Sequence, residues 1–411
     1  MKTRAKLQLS VSGIACAIAA LVGLNATAGL TTQIDLAASE RALAATLTPM
    51  AKLGRKLYND TNLSEPRGQS CASCHTAAFG FTDPNKLEPT SRGADRAMFT
   101  GRNSPPAGYA DFSPPFRQND EGLWIGGQFW DGRVSTLEDQ AAGPFLGRVE
   151  MNNPSKAHVV NKVKASSYAR EFKGQFGPTA LDDVEQAYRN ITLAIAAYER
   201  SSDFKRFDSK YDAYLQGQAT LSPAESRGLA LYEDPTKGNC AACHPNQPER
   251  DATTGEIAQL PLFTDYSYDN LGVPKNPANR FYKLPAAVNP DGANWVDKGL
   301  GGRSDMDLSA EIGKFKVPSL RNIALTGPYM HNGYFASLRN VVEFYNSRDT
   351  RPPCVGDKVA ETAAVRTGCW PAPEMVTNVN RKELGKLGLT PQEVTDIVAF
   401  LGTLTDGWRQ R

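Results

Sequence analysis

Two pentapeptides constrain this chain more than anything else in it: Cys71-Ala-Ser-Cys74-His75 and Cys240-Ala-Ala-Cys243-His244. Two thiols three residues apart can bond to both vinyl groups of one haem, and the adjacent imidazole then reaches its iron as proximal ligand. The rival readings fit less well. A zinc ribbon sets its two Cys-x-x-Cys knuckles roughly 15–20 residues apart, whereas Cys74 and Cys240 stand 166 positions apart. A redox dithiol wants a thioredoxin-like βαβ setting, and neither motif has one. The motifs therefore predict two covalently bound c-type haems, with His75 and His244 as proximal ligands.

Covalent attachment of this kind requires export, and the N-terminus reads as an export signal. Lys2, Arg4 and Lys6 form a basic start, the stretch from Leu9 to Leu24 is mostly apolar, and Ala26-Thr27-Ala28 offers a small-residue cleavage site. Residues 1–28 are read as a signal peptide, and the expected compartment is the periplasm. The apolar run is too short and too weakly hydrophobic to favour a retained anchor, so no membrane span is expected after its removal. The formal charge of +2 includes those three basic residues, so the mature chain is near −1. No nucleic-acid partner is expected from such a balance.

The motifs sit inside a weak internal repeat. Gly54, Leu57 and Tyr58 precede the first, and Gly228, Leu231 and Tyr232 precede the second. Each unit closes on a later helix. One runs from Asp182 to Ser201, with Val184, Ala187, Ile191, Ala194 and Ile195 at helical spacing. The other runs from Thr390 to Leu404, with Thr390 as N-cap, Pro391 in the first helical position, and Val394, Ile397, Val398 and Leu401 on one face. The stretch from Ser202 to Ser222 reads as the connection. A chain of 411 residues with 40% hydrophobic residues is long enough for two domains. With 27 Pro, 35 Gly and no strand-rich region, it reads as all-α with long irregular loops. Cys354 and Cys369 are left over, and in an oxidising compartment they can form a disulfide. Closing a loop of that length contributes ~3 kcal/mol by chain entropy.

The sixth ligands decide the chemistry. The chain has four histidines, and after His75 and His244 only His158 and His331 remain. The first haem has no histidine between His75 and His158, and Met98 and Met151 are the methionines near it in sequence. An iron with an open face can bind peroxide, while one held by two strong ligands mainly passes electrons. For the second haem, spacing offers Met306, Met330, His331 and Tyr345 and does not choose among them.

From here the chain resembles the bacterial dihaem cytochrome c peroxidase/MauG superfamily over roughly Leu53 to Leu404. The likeness is carried by the two CxxCH motifs and by Arg102-Asn103-Ser104-Pro105, Gln128-Phe-Trp130-Asp-Gly-Arg133, Glu138-Asp-Gln140-Ala-Ala-Gly-Pro144, Val149-Glu150-Met151 and Val317 to Gly333. The resemblance implies two class I cytochrome c-like domains, 29–205 with an open peroxide-binding haem and 206–411 with the second haem. It implies that Trp130 lies between the haems and relays electrons. Gln140, Pro144 and Glu150 would line the distal pocket, with Glu150 moving protons and Gln140 positioning peroxide. Asn103, Thr326 and Pro328 would hold one Ca²⁺, the last two through backbone carbonyls. The second-haem ligand is implied fourteen residues after His331, at Tyr345, where the peroxidases have Met and MauG-like members have Tyr. The region from Ser91 to Gly101 also lacks the distal histidine with which peroxidases close the first haem.

Both departures imply the MauG-like branch: hydrogen peroxide would drive the chain to a high-valent dihaem state that oxidises a periplasmic partner protein by long-range electron transfer. One alternative is a dihaem cytochrome c peroxidase reducing peroxide to water with electrons from a small redox protein. Another is a non-enzymatic dihaem electron carrier, which needs both irons capped by protein ligands.

Overall fold

Each half of the repeat opens on a helix that starts at a capping hydroxyl followed by proline. The Thr48 hydroxyl accepts from the Ala51 amide at 3.1 Å and caps α1 (Pro49–Asn59). Ser222 shares a capping box with Glu225 and starts α8 (Pro223–Glu233). Proline suits the first helical position because no intrahelical N–H bond is lost there. The closing helices are capped by side chains as well, but only the second repeats the hydroxyl–proline start. Asp183 caps α6 (Val184–Glu199), and Thr390 with Glu393 caps α11 (Pro391–Gly402). The computed structural model describes residues 47–356 and 358–410. The signal-peptide reading of residues 1–28 lies outside them.

Opening and closing helices pack in pairs, α1 on α6 and α8 on α11, and both crossings depend on a glycine. A β-carbon on Gly54 would overlap the Ala194 carbonyl and stand 3.0 Å from Tyr198 Cβ; one on Gly228 would overlap the Asp396 carbonyl and stand 2.9 Å from Phe400 Cβ. Only a residue without a side chain lets the axes come this close. The tyrosine that ends each repeat element reaches down to its own motif. Tyr58 donates to the His75 carbonyl at 3.2 Å, and Tyr232 donates to the His244 carbonyl at 2.5 Å. The weak sequence repeat is thus a repeat of helix crossings, each seating one CxxCH.

The buried side chains around the two crossings form separate clusters. One gathers Leu53, Leu57, Tyr58, Ile191, Ile195, Tyr198 and Phe204. The other gathers Tyr211, Tyr232, Phe263, Val394, Ile397, Phe400 and Leu401. Fully burying a side chain such as Leu57 or Ile191 contributes roughly 1.5–3 kcal/mol, so each cluster is a substantial core. The described residues nonetheless make one compact unit. Eleven α-helices are present among the described residues, and the strands come only as two-stranded pairs of two or three residues each, such as β5 (Tyr268–Asp269) with β6 (Phe315–Lys316).

The expected connection from Ser202 to Ser222 is more structured than its sequence suggests. It carries the short helix α7 (Lys210–Leu215), started by a capping box of Ser209 and Asp212. Asp212 also receives a two-pronged ion pair from Arg321, at 2.8 and 2.9 Å, with both side chains removed from solvent. That tertiary clamp, invisible in a local reading, holds the segment against the second cluster. Cys354 and Cys369 are disulfide-bonded, with Cα atoms 5.0 Å apart. Among the described residues no helix is long and apolar enough to cross a membrane.

Candidate active site

Each CxxCH faces a large cavity. The first is lined by Cys71, Cys74 and His75; the second by Cys240, Cys243 and His244. The histidines are prepared in the same way. His75 Nδ1 lies 3.0 Å from the Phe81 carbonyl, and His244 Nδ1 lies 2.8 Å from the Phe263 carbonyl. Both phenylalanines take left-handed backbone conformations, φ 60° and φ 55°, that turn these carbonyls inward. An Nδ1–H given to a carbonyl leaves Nε2 as the lone-pair nitrogen and orients the ring, the usual support for a metal-bound imidazole. Burial lowers the pKa of both rings, so both are neutral and able to ligate. Paired thiols and an oriented neutral imidazole facing one cavity fit a haem at each site.

The first cavity brings together Gln140, Pro144, Glu150 and Trp130 from three separate stretches. Gln140 and Pro144 come from α3 (Leu137–Leu146), and Glu150 from the turn that follows. Desolvation pushes the Glu150 carboxyl up, opposed by Arg133. Desolvation of this kind favours the protonated carboxyl, which suits a group that takes up and gives back a proton. Met151 lines this cavity too, but Met98 and His158 do not. His158 Nε2 sits instead 3.0 Å from Glu65, half-exposed.

Of the four residues that spacing offered the second haem, Met330, His331 and Tyr345 line the second cavity, while Met306 is exposed and does not. His331 is stacked on Phe315 with ring centroids 3.6 Å apart, and burial lowers it to about 4. Tyr345, on α9 (Leu338–Ser347), is pushed up chiefly by burial.

The two cavities share a wall. Trp130, Asn103, Ser104 and Pro106 line both. Trp130 is buried, and its indole Nε1 donates to the Asn103 carbonyl at 2.8 Å. The Asn103 side chain meets the Pro328 carbonyl at 2.6 Å, and Thr326 lines the same second cavity. Arg102 pins this seam. It binds Asp131 at 2.6 Å and Asp297 at 2.6 and 2.7 Å, tying stretches far apart in sequence.

Sequence reasoning missed two charged groups here. Lys316 is partly buried, drops to about 8 by desolvation, and donates to the Gly127 carbonyl at 2.5 Å. Glu199 lines the first cavity from α6. A signal for Glu199 existed, since it lies four residues after Ile195 on the apolar face of that helix.

A sequence model described as di-haem cytochrome c peroxidase matches residues 48–220. Methylamine utilization protein MauG of Paracoccus denitrificans is 39% identical over 362 residues, which span 87% of this chain and 88% of that protein. The chain belongs to the di-haem cytochrome c peroxidase family. The crystal structure of the diheme peroxidase BthA from Burkholderia thailandensis is similar with TM-score 0.71 and 34% identity, covering 88% of this chain and 87% of that one. A MauG-like protein associated with microbial copper homeostasis is similar with TM-score 0.61 and 30% identity, covering 89% and 91%. As a member of this family the chain is a dihaem, haem-dependent oxidoreductase of the MauG-like kind, and the two cavities account for two haems.

Proposed function

We propose that the chain is a periplasmic dihaem oxidoreductase in which hydrogen peroxide meets the first haem and a partner protein is oxidised at a distance. The halves 29–205 and 206–411 are read as two class I cytochrome c-like domains, one haem each. The observation that carries the reading is the difference between the cavities: one is lined by Gln140 and Glu150, the other by Tyr345. When bound, the haems supply redox-active iron that accepts oxidising equivalents from peroxide and passes them on.

The protein's own groups then have separate tasks. Cys71, Cys74, Cys240 and Cys243 would attach the haems, and His75 and His244 would ligate them through Nε2. Glu150 would accept a proton from one peroxide oxygen and hand it to the other. Gln140 orients the bound peroxide by its amide, and Pro144 keeps that face free of any hydrogen-bond donor from its own backbone. Tyr345 offers the second iron a hard anionic oxygen, which favours its oxidised state where a soft thioether would favour the reduced one. Trp130, packed in the shared wall, is placed to relay electrons between the sites. Asn103, with the Thr326 and Pro328 carbonyls, is assigned one Ca²⁺: these are neutral hard oxygen donors, and turning the Asn103 amide brings Oδ1 rather than its NH₂ toward the Pro328 side.

The test is low-temperature electron paramagnetic resonance of the ferric protein before and after one equivalent of peroxide. One high-spin and one low-spin haem are expected, both fading on peroxide without a matching organic radical. Two low-spin haems that ignore peroxide until one is reduced would refute the open first site.

A further inference from the structure

The two halves can be compared position by position, and at one place they differ in kind. The glycine crossings pair Ala194 with Asp396 and Tyr198 with Phe400, both 202 positions apart, so Glu199 corresponds to Leu401. Each lines the haem cavity of its own half. Leu401 is 5% exposed and Glu199 7% exposed. The fold therefore accepts a hydrocarbon here, and the second half has one. In the first half the same place carries a carboxyl group whose Oε2 is buried with no hydrogen-bond partner. An unsatisfied buried carboxyl is costly, so packing does not explain its presence.

The surroundings of Glu199 leave it close to titration. Its neighbour Arg200 is committed elsewhere, to Glu138 at 2.6 and 3.0 Å and to Asp111 at 3.0 Å. From the opening side, Tyr58 and Cys71 lie beside it; burial raises the Tyr58 phenol, and the Glu199 charge adds to that. Burial pushes Glu199 up to about 8; Arg200 opposes this, and the Glu138 and Asp111 charges add to it. Among these groups, Cys71 would attach the first haem, and Glu199 lines the cavity that would hold it.

We propose that Glu199 is the redox-linked proton acceptor of the first haem: it takes one proton from solvent as the iron held by His75 gains one electron, and releases it when the electron leaves. The electron comes from the small redox protein or chemical reductant that reduces the haem. One O–H bond forms on the carboxylate, and the net charge of the buried site does not change. The physical cause is that ferric iron carries one more positive charge than ferrous iron. In a low-dielectric site that charge favours the carboxylate, and its loss favours the acid. At the equivalent place the second half has Leu401, which cannot take up a proton.

The experiment is a spectroelectrochemical titration of the intact two-haem protein at pH values on both sides of 8. The potential of the first haem is expected to fall as pH rises, by up to a tenfold change in the reduction equilibrium per pH unit, which is 59 mV for one electron. Glu199→Gln, and Glu199→Leu, which copies the second half, should both flatten that slope while leaving the potential of the second haem unchanged. Reduced-minus-oxidised infrared spectra of the unmodified protein should also show a carboxylic-acid carbonyl band appearing on reduction, and Glu199→Gln should lack it. An undiminished slope in both variants, or no such band in the unmodified protein, would overturn the assignment. The inference rests on haem attachment at Cys71 and Cys74, not on peroxide chemistry. An intact mass with no haem on the first half would overturn the attachment and this inference together, whereas two haems with a persisting slope overturn this inference alone.

Discussion

Replacing Gly54 by Ala sets two opposite effects against each other, and the structure says which wins. In a helix interior Ala is favoured over Gly by ~0.8–1.0 kcal/mol. The new methyl, however, would overlap the Ala194 carbonyl oxygen, stand 2.6 Å from the carbonyl carbon and lie 3.0 Å from Tyr198 Cβ. A backbone carbonyl cannot rotate away as a side chain can, so α1 and α6 must separate. Overpacking of this kind costs roughly 1–3 kcal/mol, and loosening Leu53, Leu57, Ile191 and Ile195 places the cost toward the upper end. After subtracting the helix gain, Gly54→Ala should destabilise the protein by about 1–2 kcal/mol. Gly174, in α5 (Ala169–Phe176), is the control: a β-carbon there meets nothing within 4 Å. Gly174→Ala should stabilise by up to about 1 kcal/mol. Guanidinium unfolding of both holoproteins, followed by the haem absorption band, reads the two midpoints. A Gly54→Ala midpoint equal to or above that of the parent would refute the close-crossing argument.

Tyr345→Met should move peroxide chemistry toward ordinary peroxidase turnover with a small redox protein; unchanged peroxide-dependent spectra in that variant would remove Tyr345 from the scheme. Arg321→Met leaves Asp212 buried without its ion pair, which typically costs 3–5 kcal/mol, and a melting scan should show a large fall. His331 is held neutral, with its pKa lowered from 6.5 to about 4 by burial. Between those values the unfolded chain binds the extra proton, so stability is lost as pH falls from 6.5 toward 4, by at most ~1.4 kcal/mol per pH unit. His331→Phe should flatten that part of the stability profile, and a variant that keeps the full slope would show that another group is responsible.

Much of the site was legible because its chemistry is local. Cys71, Cys74 and His75 lie within one turn, so their spacing alone names a haem. Thr390, Pro391 and the apolar face from Val394 to Leu401 predict α11 because capping and helical periodicity are also short-range. The glycine before each motif was visible as a repeat, though its purpose, a backbone carbonyl pressed against it, was not.

What the sequence could not decide was which distant residues meet. It left Met306, Met330, His331 and Tyr345 equal by spacing; burial removes Met306 and leaves the others around one cavity. It showed Trp130 and Asn103 as parts of motifs, and only the fold makes them a wall common to two cavities. It read residues 202–222 as a connector, and a buried ion pair across more than a hundred positions orders its middle into a helix. Covalent haem attachment, capping and helical period act over a few residues and are written in order along the chain, whereas desolvation and charge pairing depend on what the folded chain brings alongside. That is why Cys71 announces a haem from the sequence alone, while Glu199 becomes a group with work to do only when α6 is laid against the haem cavity.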